Sequence, residues 1–299
     1  MTTTTSTPTP GGPVGARRAD APAARRRRVR PDRVLLWTAL LVLSLVFALP
    51  LLVMVSTSFK SAAEANSLDF TALPLEPTLD AYRAVLTDVP VLRWFVNSTL
   101  VALMHSALVV VLATTAAYAF ARMEFRGKRP LFALVLATMF VPAVILLIPN
   151  FLVVNELGWL NSYASLVVPG AAGGFGVFFL RQFFLGIHPS IEEQARIDGC
   201  GSWQVFVRIV LPLAGPAVAT LAVLSFLTSW NDFLWPVFVL FTSDMQTLPA
   251  GLAQLQSDNV LRYDLLMAGA VVASVPVLAL YVVAQRFIIE GVAQGGVKG

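Results

Sequence analysis

From Val34 to Val55 the chain carries no charged residue. About 20 consecutive apolar residues are enough to cross the hydrocarbon of a bilayer. No water is available there to satisfy free N–H and C=O groups, so such a run must fold as a helix. Five more apolar runs follow, at about residues 94–120, 131–154, 164–183, 216–241 and 265–287. Composition agrees, with 57% hydrophobic and 13% charged residues, which is membrane-protein usage. The expected fold class is therefore an all-α membrane protein with six transmembrane helices. Pro142 and Pro276 fall inside spans and are expected to kink them. Gly170, Gly173, Gly174 and Gly176 read as a close-packing face in the fourth span, with a gate hinge as the alternative.

Basic residues mark the orientation. With the N-terminus inside, 17 of the 21 Lys and Arg lie on the inner side, and only Lys60, Arg83, Arg93 and Arg262 lie outside. This bias places both termini in the cytoplasm. Arg25 to Arg28, Arg30 and Arg33 abut the first span and read as a topology anchor, with contact to anionic lipid as the alternative. The basic pI of about 9.6 thus reflects topology and not nucleic-acid binding. The domain reading is a disordered basic tail over 1–33, the first span and an external segment over 34–93, a core over 94–287 that contains an inner loop at 187–212, and a C-terminal tail over 288–299.

That loop is the most informative stretch. Ser190 and Glu193 have capping-box spacing, and Ile191 and Ala195 share a face at i, i+4. Gly199 after Asp198 suits a left-handed helix end. Trp203, Phe206, Val207 and Val210 then form one apolar stripe, which Pro212 is expected to stop. The pattern reads as short helix, glycine corner, short helix. Neither helix is long enough to be stable alone, so the stripe needs a partner surface.

Glu193, Gln194, Ala195, Asp198 and Gly199, followed by Ile209, Leu211-Pro212-Leu213 and Pro216, resemble the EAA loop of ABC importer permeases. Gln194 and Cys200 depart from the usual alanines of that motif. Phe95 to Thr99, Ala117 to Arg122, Trp230 to Phe233 and Gly296 to Gly299 are similar to the six-span, maltose-class carbohydrate permeases. The resemblance covers roughly residues 34–299. It implies a type I ABC importer permease fold in a plasma or inner membrane, with the EAA loop as the coupling element; Trp203 and Phe206 join it as coupling residues. It also implies the partners: a second permease subunit, an ATPase subunit dimer that binds the ATP, an external solute-binding protein, a sugar and the membrane lipids. The implied mechanism is alternating access.

Other chemistry is sparse. No G-x-x-x-x-G-K-[ST] phosphate loop is present, so no nucleotide cofactor is expected on this chain, and no enzyme activity. His105 and His188 lack ligand-spaced neighbours, and Cys200 has no cysteine to pair with. Asn231 and Asp232 lie about 23 Å into the fifth span at helical rise. A carboxylate at that depth is a candidate for the substrate pathway, set against a plain role in capping a helix break before Pro236. Trp230 and Trp235 suit either sugar stacking or an interfacial aromatic belt. His105 is expected to bond between helices. Rival readings are a permease of the same machinery for a non-sugar solute, an ATP-independent channel or secondary transporter, and a membrane-embedded enzyme.

Overall fold

A computed structural model describes residues 31–255 and 262–296. The expected disordered tail falls mostly on residues 1–30, outside the described residues. The chain divides at Leu49/Pro50 into two units. Among the described residues all regular structure is helical.

Helix α1 (Pro31–Ser58) contains Pro50 and starts before the expected Val34. Its large apolar side chains from Leu35 to Leu49 are exposed, as suits lipid or another subunit. Short helix α2 (Ala62–Ala65) follows, then α3 (Asp80–Thr87) and the long α4 (Val91–Arg122). Between α1 and α3, the Glu64 carboxylate accepts from Thr71 Oγ1 (2.8 Å) and the Leu75 N–H (3.1 Å), which organises this segment without strands. Next come α5 (Lys128–Thr138), a 3-10 turn at Ala143–Leu146, α6 (Leu147–Glu156), α7 (Ala164–Val167) and α8 (Gly174–Gly186). The loop contributes α9 (Pro189–Ile197), α10 (Ser202–Val205), a π turn at Phe206–Val210 and α11 (Leu211–Leu213). The rest is α12 (Gly215–Trp230), α13 (Leu234–Val239), α14 (Leu248–Gln254) and α15 (Tyr263–Gly296).

Three helical stretches are long and apolar enough to cross a membrane: Leu35–Ser58, Val91–Arg122 and Tyr263–Val282. Two bent pairs bring the number to five among the described residues, α5 with the segment Ala143–Glu156 (93°) and Ser202–Leu213 with α12 (77°). Pro142 therefore breaks its span outright instead of kinking it. The expected fourth span is also not continuous. A turn with Gly170 at φ 79° separates α7 from α8, and α8, with 13 residues, falls short of spanning length. Of the four glycines expected to pack closely, Gly174 and Gly176 do. A Cβ on Gly174 would meet the Val135 carbonyl at 2.6 Å, and one on Gly176 would meet Ala113 Cβ at 3.0 Å. The expected C-terminal tail is helical as far as Gly296, where α15 ends, and residues 297–299 lie outside the described residues.

Helix α4 is the axis on which α8 and α12 pack. Small residues on it (Ala102, Ala113, Ala117) are fully covered, because they let neighbouring backbones approach closely. One apolar cluster joins α4, α8 and α12 to the inner loop through Tyr118, Phe184, Val205, Phe206 and Val210. A second, at the opposite end of α4, joins it to α3, α12, α14 and α15 through Val85, Trp94, Trp230 and Leu248. Polar side chains pin α4 further. Asn97 Nδ2 donates to the Asp244 (2.8 Å) and Gln246 (2.9 Å) carbonyls, and its Oδ1 accepts from Tyr163 (2.8 Å). Ser106 donates to the Ala222 carbonyl at 2.7 Å. His105 Nδ1 lies 2.9 Å from the Val167 carbonyl, the interhelical bond expected of it.

Candidate functional site

The loop 187–212 is the helix–corner–helix its sequence suggests, with a different cap. Helix α9 begins with Pro189, and the Nδ1 of His188 accepts from the Ser190 N–H at 3.3 Å. Ser190 is thus inside the helix, and its spacing to Glu193 is not a capping box. Proline at the first helical position explains the shift, since its missing N–H is one the helix leaves unpaired anyway. At the other end, Asp198 closes α9 and Gly199 turns the chain at φ 88°. The Cys200 N–H donates back to the Ala195 carbonyl at 3.0 Å. A Cβ on Gly199 would meet nothing within 4 Å, so the left-handed backbone alone demands glycine there. Helix α10 then starts with Gln204 Oε1 accepting from the Gly201 N–H at 2.9 Å.

The apolar stripe is rotated from expectation. Val205, Phe206 and Val210 are buried, while Trp203 and Val207 are exposed. Pro212 does not stop the helix, which bends only at Ala214. The π turn bears on the facing of Val207 and on the passage through Pro212. The Leu211 N–H reaches back five residues to the Phe206 carbonyl, a wider turn that changes the facing of the residues around it and accommodates a proline. In α9, Ala195 is buried but Ile191 is exposed, and the second covered residue is Glu192.

Glu192 is the residue that sequence reasoning missed. Its Oε1 lies 2.6 Å from Arg122 Nε, with both side chains largely buried. Tyr118 donates to Glu192 Oε2 at 3.4 Å, and its ring lies 4.7 Å from that of Phe206. Arg122 Nη2 also donates to the carbonyls of Phe184 (2.8 Å) and Ile187 (2.6 Å). One guanidinium, on the last residue of α4, therefore ties together α4, the C-terminus of α8 and α9. Buried charges persist only when paired and hydrogen-bonded; here Arg122 is hydrogen-bonded through Nη2 and Glu192 through Oε2, while Nε and Oε1 face each other as an ion pair without hydrogen-bond geometry. The opposite face of the loop is open. Glu193 and Gln194 are exposed, and the apolar Ile197 (84%) and Trp203 (68%) stand in the open on either side of Gly199.

The expected pathway residues divide. Trp230 is 2% exposed, stacked on Phe226 and edge-on to Phe95. It is a core residue, with its ring unavailable both to a sugar and to a membrane interface. Asn231 closes α12, its Nδ2 donating to the Leu227 carbonyl at 2.8 Å. Asp232 Oδ1 accepts from the Trp235 N–H at 3.4 Å, so the pair does cap the helix break before Pro236. Asp232 also faces a cavity of about 330 Å³, with His105, Asn150, Ser229 and Trp235 on its wall. Such a cavity, apolar with a few converging polar groups, can hold a small polar ligand.

Residues 109–293 match the family described as the binding-protein-dependent transport system inner membrane component. The arabinooligosaccharides transport system permease protein AraQ of Halalkalibacterium halodurans is 36% identical over 260 residues, spanning 86% of this chain and 93% of that protein. The diacetylchitobiose uptake system permease protein NgcG of Streptomyces coelicolor is 36% identical, spanning 86% of each. A chain in the crystal structure of a bacterial ABC transporter involved in import of the acidic polysaccharide alginate superposes with a TM-score of 0.75 at 26% identity, over 86% of this chain and 97% of that one. The extent of the family match and the identity to these relatives give the same assignment: this chain belongs to the binding-protein-dependent transport system inner membrane components.

Proposed function

We propose that this chain is one of two permease subunits in an ATP-driven importer whose cargo is an oligosaccharide handed over by an external binding protein. The loop 187–212 is its docking surface for a separate ATPase subunit. One observation carries the coupling role: the loop is held hard on one side and open on the other. Arg122, Tyr118 and Phe206 fix its inner face to α4 and α8, while Ile197 and Trp203 present exposed apolar surface. Exposed aromatic anchors of this kind mark protein interfaces. The helix 202–213 continues into α12 across the 77° bend. Movement of the docked loop therefore pulls on α12 directly, and on α4 and α8 through Arg122.

The cargo reading is supported by the relatives named for arabinooligosaccharides and diacetylchitobiose. The cavity beside Asp232 is the candidate stretch of the pathway. Both termini and the loop lie in the cytoplasm by the distribution of basic residues, on the side where ATP is. The test is uptake in liposomes carrying this chain, its second permease, the ATPase and the binding protein. Labelled oligosaccharide should enter only with enclosed ATP. Uptake by this chain alone, driven by an ion gradient, would overturn the proposal.

A further inference from the structure

A second, larger cavity of about 750 Å³ lies at the loop-side end of α4, between the start of α5 and the last turns of α8. Its lining changes character along α5. Lys128 and Arg129 stand at the first turn, followed by Phe132, Ala133 and Leu136. From Lys128 to Leu136 the helix rises about 12 Å, from a cationic mouth to an apolar floor. Arg181 enters from α8. Its guanidinium lies over the Phe132 ring at 4.2 Å from the centroid, and its Nε donates to the Phe120 carbonyl at 3.2 Å. This fixes the fork in place and leaves its terminal amino groups for a ligand. Glu124 is the one acid on the wall, and it is already engaged by Lys128 at 3.0 Å. In the first turn of α5 the Lys128 N–H donates to the Phe125 carbonyl and Pro130 has no N–H, so the positive charge at this end of the cavity comes from side chains.

We propose that this cavity holds an anionic phospholipid, with its phosphate at Arg129 and Arg181 and the upper acyl chain along Phe132 and Leu136. A soluble phosphate would use the mouth and gain nothing from the apolar floor. A zwitterionic lipid brings the same phosphate together with a cation that the excess of positive side chains disfavours. Basic pockets between membrane helices bind anionic headgroups in this way. The inference needs only that the chain sits in a membrane, and it stands or falls independently of the cargo.

The experiment is native mass spectrometry of the intact importer complex, titrated with phosphatidylglycerol or with phosphatidylcholine. Phosphatidylglycerol should be retained in preference. Arg129→Gln, at an exposed position that leaves the fold intact, should lower its occupancy about fivefold. Arg126→Gln, exposed but outside the cavity, should leave it unchanged. Millimolar glycerol 3-phosphate should fail to displace the lipid. Equal retention of the two lipids, equal loss in both variants, no loss in Arg129→Gln, or displacement by glycerol 3-phosphate would each overturn the proposal.

Discussion

Arg122 and Glu192 form a buried ion pair at 2.6 Å between the last residue of a membrane helix and the loop proposed to dock the ATPase. Removing one partner of a buried pair costs about 3–5 kcal/mol, because the other is left charged and uncompensated. Arg122→Met should cost more than Glu192→Gln, since only Arg122 also holds the Phe184 and Ile187 carbonyls. Both variants should insert into the membrane, lose thermal stability in detergent and lose uptake. A melting temperature and an uptake rate equal to wild type for Arg122→Met would show that the pair holds nothing.

Gly199 tests the corner. Its φ of 88° excludes an ordinary side chain, at a cost of roughly 1–2 kcal/mol. Nothing nearby would clash, so the penalty is purely local. Gly199→Val should reach the membrane in normal amount but co-purify poorly with the ATPase. Gly199→Asn should do better, because asparagine tolerates the left-handed region. If Val and Asn behave alike, backbone conformation is not what the position needs.

Asp232 tests the cavity. Asparagine retains the oxygen that accepts from the Trp235 N–H, so Asp232→Asn should keep the break between α12 and α13 while removing the charge. A hydrogen bond from a sugar hydroxyl to a carboxylate contributes about 1.5 kcal/mol or more, so uptake should fall about tenfold. Unchanged uptake in Asp232→Asn would leave the residue as a helix cap alone.

The native Cys200 tests orientation. It is partly exposed at the loop corner. An impermeant thiol reagent should leave it unmodified in intact cells and label it in inverted membrane vesicles. A cysteine placed at Ala63 should show the reverse. Labelling of Cys200 from outside would contradict the topology that the basic residues imply.

How much of this was legible in the sequence depended on how local each cause was. The length of the Val34–Val55 run dictates a helix, and Gly199 after Asp198 signals its own positive φ. The Asn231–Asp232 pair could be read as a cap before Pro236 because the groups involved lie within a few residues. The inward facing of Glu192 could not be read. Glu192 and Glu193 are adjacent and chemically alike, and only Arg122, far away in the chain, decides which of them turns inward. The stripe assumed one regular helical period from Trp203 to Val210, and the π turn at Phe206–Val210 departs from it. The break at Pro142 and the split of the fourth span at Gly170 were similarly out of reach. A proline or glycine in a membrane helix is compatible with a kink or a break, depending on whether neighbours satisfy the freed backbone groups. The motif Phe95 to Thr99 was visible as a pattern, but its reason appeared only when Asn97 was found holding the Asp244–Gln246 turn.

In the proposed importer, Ile197 and Trp203 meet the ATPase. The most direct measurement compares ATPase pull-down and sugar-dependent ATP hydrolysis for wild type and Trp203→Asp in the assembled importer. Trp203 is 68% exposed, so the substitution should leave the fold and membrane abundance intact. A large aromatic at an interface contributes about 2 kcal/mol or more. Trp203→Asp should therefore lose most co-purifying ATPase, and sugar-dependent hydrolysis with it. Full retention of both by a Trp203→Asp, Ile197→Asp double variant would contradict the account, and the docking surface would have to lie elsewhere.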